Sequence, residues 1–181
     1  MAEQAEERSW VERARQGDDE AIGWLYRRYA PAVFRYLFYR LGEREVAEDL
    51  TSEVFVRAIE GLPRYQQRGL PFAAWLYRIA AARVVDHYRR MRRRPATRLQ
   101  PESATSGERA EQEAESRLSA EELQRGLAGL PPAYQQVIVL RFVEGLSHEE
   151  VAQVMGRSAG AVRVLQYRAL AALRRQLEKG L

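Results

Sequence analysis

The chain has 181 residues, carries 29 Lys and Arg against 25 Asp and Glu for a net charge of +4, and contains no cysteine. That length holds one average domain or two small ones, and here two are favoured. The missing thiols exclude a disulfide framework or thiolate metal site, and the near-balance of charge excludes a uniformly cationic, histone-like protein. The N-terminus MAEQAEERSW lacks an apolar signal core, and no apolar run reaches the roughly 18 residues of a membrane span, so a soluble cytoplasmic protein is expected.

In chain order, Trp10, Val11 and Ala14 predict a short helix over 9–16 that Gly17 ends, with Asp18 or Asp19 capping the next. That next helix places Ile22, Leu25, Tyr29, Val33, Leu37 and Leu41 on one face, and Pro31 is expected to kink or break it. Gly42 ends the segment, after which Val46, Leu50, Val54, Ala58 and Leu62 keep a helical period through a third helix. Residues 63–71, PRYQQRGLP, read as a loop. A fourth helix opens at Pro71, carries Phe72, Trp75, Leu76, Ile79, Ala80 and Val84, and turns basic at Arg89, Arg90, Arg92, Arg93 and Arg94.

Pro95 closes a first domain, 1–94. Residues 95–116 are too poor in large apolar side chains to offset chain entropy and read as a flexible acidic linker. The second domain, 117–181, is predicted to start a helix at a Ser119/Glu122 capping box and another at Pro132 that runs to Gly145. Residues 146–177 then have the pattern of a helix-turn-helix. Ser147 and Glu150 form a capping box, Gly156 suits a left-handed helix end, and Ser158 caps the last helix. In that helix Val162, Leu165, Ala169, Ala172 and Leu173 face inward, leaving Arg163, Val164, Tyr167 and Arg168 outward. A solvated amphipathic helix would show the same stripe; the double capping, tight turn and Arg/Tyr face favour DNA. With no strand-like alternation and no repeat, the fold class is all-α: two small helical domains joined by a linker.

Enzymatic chemistry finds little support. The only histidines are His87 and His148, no phosphate-cradling glycine loop occurs, and His148-Glu149-Glu150 reads as a helix first turn with acidic residues favoured by the dipole. Glu45, Glu48, Asp49 and Glu53 form an acidic helix face of the kind that is solvated or binds a partner. Neither a catalytic set nor a cofactor or metal site is expected. The basic end of the fourth helix, with Trp75 and the loop residues Tyr65, Gln66, Gln67 and Arg68, suits single-stranded DNA held by phosphate contacts and stacking, although Trp75 also lies at core spacing with Phe72 and Ile79.

DLTSEVFVRA (49–58), PFAAWLYRIAAARVVDHYRR (71–90) and the helix-turn-helix together resemble bacterial RNA polymerase sigma factors of the sigma-70 family, extracytoplasmic-function subgroup, whose regions two and four would cover nearly the whole chain. The resemblance implies an alternative sigma factor that binds core RNA polymerase and directs promoter-specific initiation. It implies that Asp49, Leu50, Ser52, Glu53 and Arg57 dock on the clamp of the polymerase β′ subunit and that the surface near Leu140, Phe142 and Val143 meets the β flap. It assigns −10 promoter DNA to Tyr65, Gln66, Gln67, Arg68, Trp75, Arg83, Arg89 and Arg90, and −35 DNA to Ser158, Arg163, Val164, Tyr167 and Arg168. An anti-sigma factor is an expected further partner. Ser52, Arg83 and Val164-Leu165 depart from the residues frequent in the family, which leaves the promoter sequence open. The alternative is a stand-alone helix-turn-helix repressor or activator, which would need neither the acidic 49–53 surface nor the loop before Trp75.

Overall fold

Residues 2–66, 70–93 and 111–179 are described by a computed structural model, and within them the chain is helical with no strand. Local caps divide it. Helix α1 (Ala2–Arg15) gives way at Gly17, where φ is +84°, to α2 (Asp19–Leu41). Of the two candidate caps it is Asp18 that serves, accepting from the amides of Glu20 and Ala21 at 2.9 and 3.3 Å. The Arg13 guanidinium, 2.7 Å from that carboxylate, and the Ala21 amide hold the Asp18 pKa below its ordinary value. The cap's contribution is therefore present above the ordinary carboxylate pKa and lost as the pH falls through the depressed one.

Helix α2 passes through Pro31 unbroken, so of the two outcomes expected from sequence, a kink or a break, the break does not occur. Pro31 and Arg27 are both exposed, so the carbonyl that loses its donor lies toward water. The helix stops at Gly42, φ +78°, whose amide donates to the Phe38 carbonyl at 2.8 Å. A side chain at Gly42 would be strained in this left-handed conformation and would also collide with the Gln124 amide of the second domain. Gly42→Ala is expected to lower the unfolding free energy by at least about 1 kcal/mol, measurable by denaturant melts.

Helices α3 (Arg44–Gly61) and α4 (Phe72–Arg93) complete the first domain, with a 3₁₀ turn at Leu62–Arg64 between them. Its core is the predicted stripe of each helix: Leu25, Val33 and Leu37 from α2, Val54 from α3, and Phe72, Leu76 and Val84 from α4 are all almost fully buried.

In the second domain α5 (Glu111–Ala128) begins inside the stretch read as linker, so Ser119 lies within a helix and does not start one. The sequence EQEAESR at 111–117 is rich in strong helix formers, a propensity that the low-apolar reading passed over. Helix α6 (Pro132–Ile138) runs into a π-helical turn at Val139–Val143 where a continuous helix was expected, and there the Glu144 amide bonds the Val139 carbonyl at 2.9 Å. The extra residue in this turn swings Glu144 back toward the first domain while Phe142 stays 53% exposed.

Helices α7 (His148–Met155) and α8 (Ala159–Lys179) form the helix-turn-helix. The Ser147/Glu150 capping box is made, and Gly156 ends α7 at φ +64°. The two domains lie against each other: α7 packs on α4, and α2 meets both α5 and the π turn.

Candidate nucleic-acid interface

Helix α8 presents one outward face. Ser158 accepts from the Ala161 amide at 3.1 Å and so caps the helix that carries the candidate DNA-contact residues. Val162 and Ala169 are wholly buried, while Val164 is 52% and Tyr167 77% exposed, and Arg163 and Arg168 are exposed with them. The predicted division of faces thus matches the burial pattern. The Arg163 guanidinium lies 3.3 Å from the carboxylate of Glu149 on α7, a partner that sequence reading missed because it stands across the turn. Behind the face, Gln166 accepts from Arg141 Nε at 3.1 Å and lies 3.0 Å from His148 Nε2, so that His148 braces α8. Among the described residues no cluster of His, Asp or Glu could hold a metal ion.

The first domain carries an open cleft of about 810 Å³ between α3 and α4. Ser52, Glu53 and Arg57 line it from α3, and Arg83, Arg89 and Arg90 from α4. Two residue sets assigned to different partners therefore share one surface. Ion pairs cross and line it: Arg90 to Glu53 at 3.8 Å, Arg83 to Asp86 at 2.6 Å, Arg89 to Asp86 at 3.8 Å and Arg57 to Glu60 at 3.6 Å. Asp86, three residues from both Arg83 and Arg89, was open to discovery from helical spacing alone. With five arginines against Glu53, Glu60 and Asp86, the cleft is net positive and suits a polyanion. Asp49 lies exposed on the same helix.

Two assigned residues sit beneath these surfaces. Leu50 is 3% exposed and belongs to the core under the α3 face, because its place in the apolar stripe outweighs its place in the docking motif. Tyr65 is 4% exposed: its ring meets Trp75 at 4.7 Å and Phe72 at 5.6 Å, its hydroxyl donates to the Leu70 carbonyl at 2.8 Å, and burial pushes its phenol up to about 12. It spans the base of the loop and does not offer a stacking platform to a base. Trp75 is half-buried on that cluster, and Gln66 is exposed at the loop's start. Gln67 and Arg68 lie outside the described residues.

Comparison with known proteins bears directly on this pair of surfaces. The family described as Sigma-70 region 2 matches residues 25–94, and Sigma-70, region 4 matches residues 120–173. The ECF RNA polymerase sigma factor SigD of Mycobacterium tuberculosis is 39% identical over 174 residues, covering 92% of this chain and 82% of that protein. The chain belongs to the ECF sigma factors. The ECF sigma factor BldN of Streptomyces coelicolor is 42% identical over 170 residues; the match covers 92% of this sigma factor but only 64% of BldN. Among solved structures, CnrH in complex with the cytosolic domain of CnrY superposes with a TM-score of 0.75 at 26% identity, covering 96% of this sigma factor and 97% of CnrH. No helix among the described residues is long and apolar enough to cross a membrane.

Proposed function

We propose that this ECF sigma factor acts by recognition and not by catalysis, bringing core RNA polymerase to promoters that its two domains read separately. The C-terminal domain, which begins with α5, addresses −35 duplex DNA; the N-terminal domain, 1–94, binds polymerase and opens the −10 element; the segment between α4 and α5 connects them. The observation that carries this reading is the exposed Arg163, Val164, Tyr167 and Arg168 face on a doubly capped helix-turn-helix. Val164 can meet a thymine methyl, and the two arginines can take guanine edges or phosphates.

The arginine cleft supports the second half of the reading. Arg83, Arg89 and Arg90 would hold the backbone of the −10 strand, with Trp75, Gln66, Gln67 and Arg68 at the bases and Tyr65 fixing their loop. Asp49, Ser52, Glu53 and Arg57 would dock on the β′ clamp from the same cleft's α3 side, and Phe142 and Val143 on the β flap. Opening need not consume a nucleotide, because stacking and hydrogen bonds to a flipped base offset an unpairing cost of a few kcal/mol. Polymerase as partner places the activity in the cytoplasm. CnrH was solved with the cytosolic domain of CnrY, and for this sigma factor an anti-sigma factor is proposed as a further protein partner.

Mixing the chain with core polymerase is expected to yield a holoenzyme by gel filtration that forms an open complex on promoter DNA; a chain that binds duplex DNA alone and never polymerase would be a repressor or activator instead. Charge removal tests the cleft. Arg89→Ala with Arg90→Ala is expected to reduce the slope of log affinity against log salt, on single-stranded −10 DNA, by about 1.4, at about 0.7 for each phosphate no longer neutralised.

A further inference from the structure

One deeply buried carboxylate serves neither reader. Glu144 leaves the π turn with its side chain 1% exposed, and the side chains that bind it among the described residues, Arg35 and Tyr77, both lie in the other domain. Arg35 of α2 grips it with two parallel bonds, Nε at 2.9 Å and Nη2 at 2.7 Å, and the Tyr77 hydroxyl of α4 donates to it at 2.8 Å. Beside this grip Tyr36, fully buried, packs with its ring 5.4 Å from that of Tyr77 and takes a hydrogen bond from the second domain's Gln136. A buried charge is tolerated only with good partners, and a forked guanidinium is the strongest of them. The two domains are therefore held by a specific polar clasp.

This closed arrangement limits what the readers can do together. The −35 and −10 elements lie roughly 25 base pairs apart, or about 85 Å at about 3.4 Å per pair. A compact chain of this length has a radius of gyration of only about 16 Å. With α7 seated on α4 the two reading surfaces cannot reach both elements, although each is exposed by itself. The 17 residues 94–110 between α4 and α5 reach about 56 Å when extended, enough with the two domains' own widths to span the promoter once the clasp is released.

We infer that Glu144, gripped by Arg35 and Tyr77, is a latch that keeps the sigma factor closed until core polymerase draws its two domains apart. The inference rests on the sigma reading above. The latch sets a closed population that polymerase must overcome, so it weakens the chain's apparent affinity for core by the fraction that is open. It leaves the affinity of each single reader for its own element untouched, because neither surface is covered.

The absence of cysteine makes the test direct. Fluorophores on Glu45→Cys in α3 and Arg175→Cys in α8, both exposed positions, report the separation of the domains by energy transfer. In the free chain, Glu144→Ala and Arg35→Ala are each expected to reduce transfer at least twofold and to raise the apparent affinity for core polymerase several-fold. Tyr77→Phe, which keeps the ring and its packing, is expected to reduce transfer by a smaller amount. Core polymerase added to the native labelled chain is expected to reduce transfer as the alanine variants do. Native-level transfer in all three variants, or in the holoenzyme, would overturn the latch. The free-chain arm needs no polymerase, so its failure is distinguishable from failure of the sigma reading, which would show as a native chain that makes no promoter-dependent transcript.

Discussion

Replacing Tyr65 by alanine is expected to lower the unfolding free energy of the N-terminal domain by about 3 kcal/mol and to slow promoter opening at least tenfold, while −35 duplex binding stays as it is. The ring sits between Phe72 and Trp75, and its hydroxyl holds the Leu70 carbonyl at the far side of the 66–70 segment. Truncation removes both the packing and the strut. Tyr65→Phe separates the two: it keeps the packing and loses one hydrogen bond, worth about 1 kcal/mol, so any slowing of opening in this variant reports on the loop's geometry. Stopped-flow fluorescence from a −10 base analogue reads the rate, and chemical denaturation reads the stability. If Tyr65→Phe opened DNA at the native rate, the hydroxyl would not be what shapes the loop.

Arg163→Ala is expected to weaken binding to the −35 duplex by about 1–3 kcal/mol, or roughly 5- to 150-fold, without changing the melting of either domain. The residue is exposed, so nothing in the core depends on it. Its sequence profile decides between the two contacts open to it. A guanine contact predicts that the loss is confined to one base position; a phosphate contact predicts a uniform loss over all sequences and a salt slope reduced by about one. Glu149, at 3.3 Å, aims the guanidinium in the free protein. Arg163→Lys loses the rigid planar fork and is expected to recover only part of the native affinity if the contact is to a base edge. Fluorescence anisotropy on a panel of single-base variants measures all of this at fixed salt.

Much of the candidate −35 reader was legible because the determinants of its helix-turn-helix are local. The Ser147/Glu150 box, the left-handed Gly156 and the Ser158 cap all act within four residues, and the face division of α8 follows from the helical period. The same period placed the stripes of α2, α3 and α4. Features set by distant partners were not legible in this way. The Arg35–Glu144 grip joins residues 109 apart, and the cleft that brings Arg90 to Glu53 depends on how α3 and α4 are laid together. Tyr65 stands in a loop without period, so nothing in the local sequence told its inward direction. Leu50 shows the reverse conflict: the apolar stripe pointed inward, the family motif pointed to a partner, and packing followed the stripe. The π turn and the early start of α5 were missed for a third reason, since propensity and periodicity describe regular helices and weigh lightly where a helix changes pitch or lacks apolar residues.

Two readers in one chain are expected to turn core polymerase toward a particular set of promoters. This is tested by transcribing sheared bacterial genomic DNA in vitro with core polymerase, with and without the chain, and sequencing the 5′ ends of the products. The expected result is a set of start sites that depends on the chain, shares one upstream and one start-proximal element at constant spacing, and loses the preference at the upstream element when Arg163 is alanine. Identical start sites with and without the chain would contradict it.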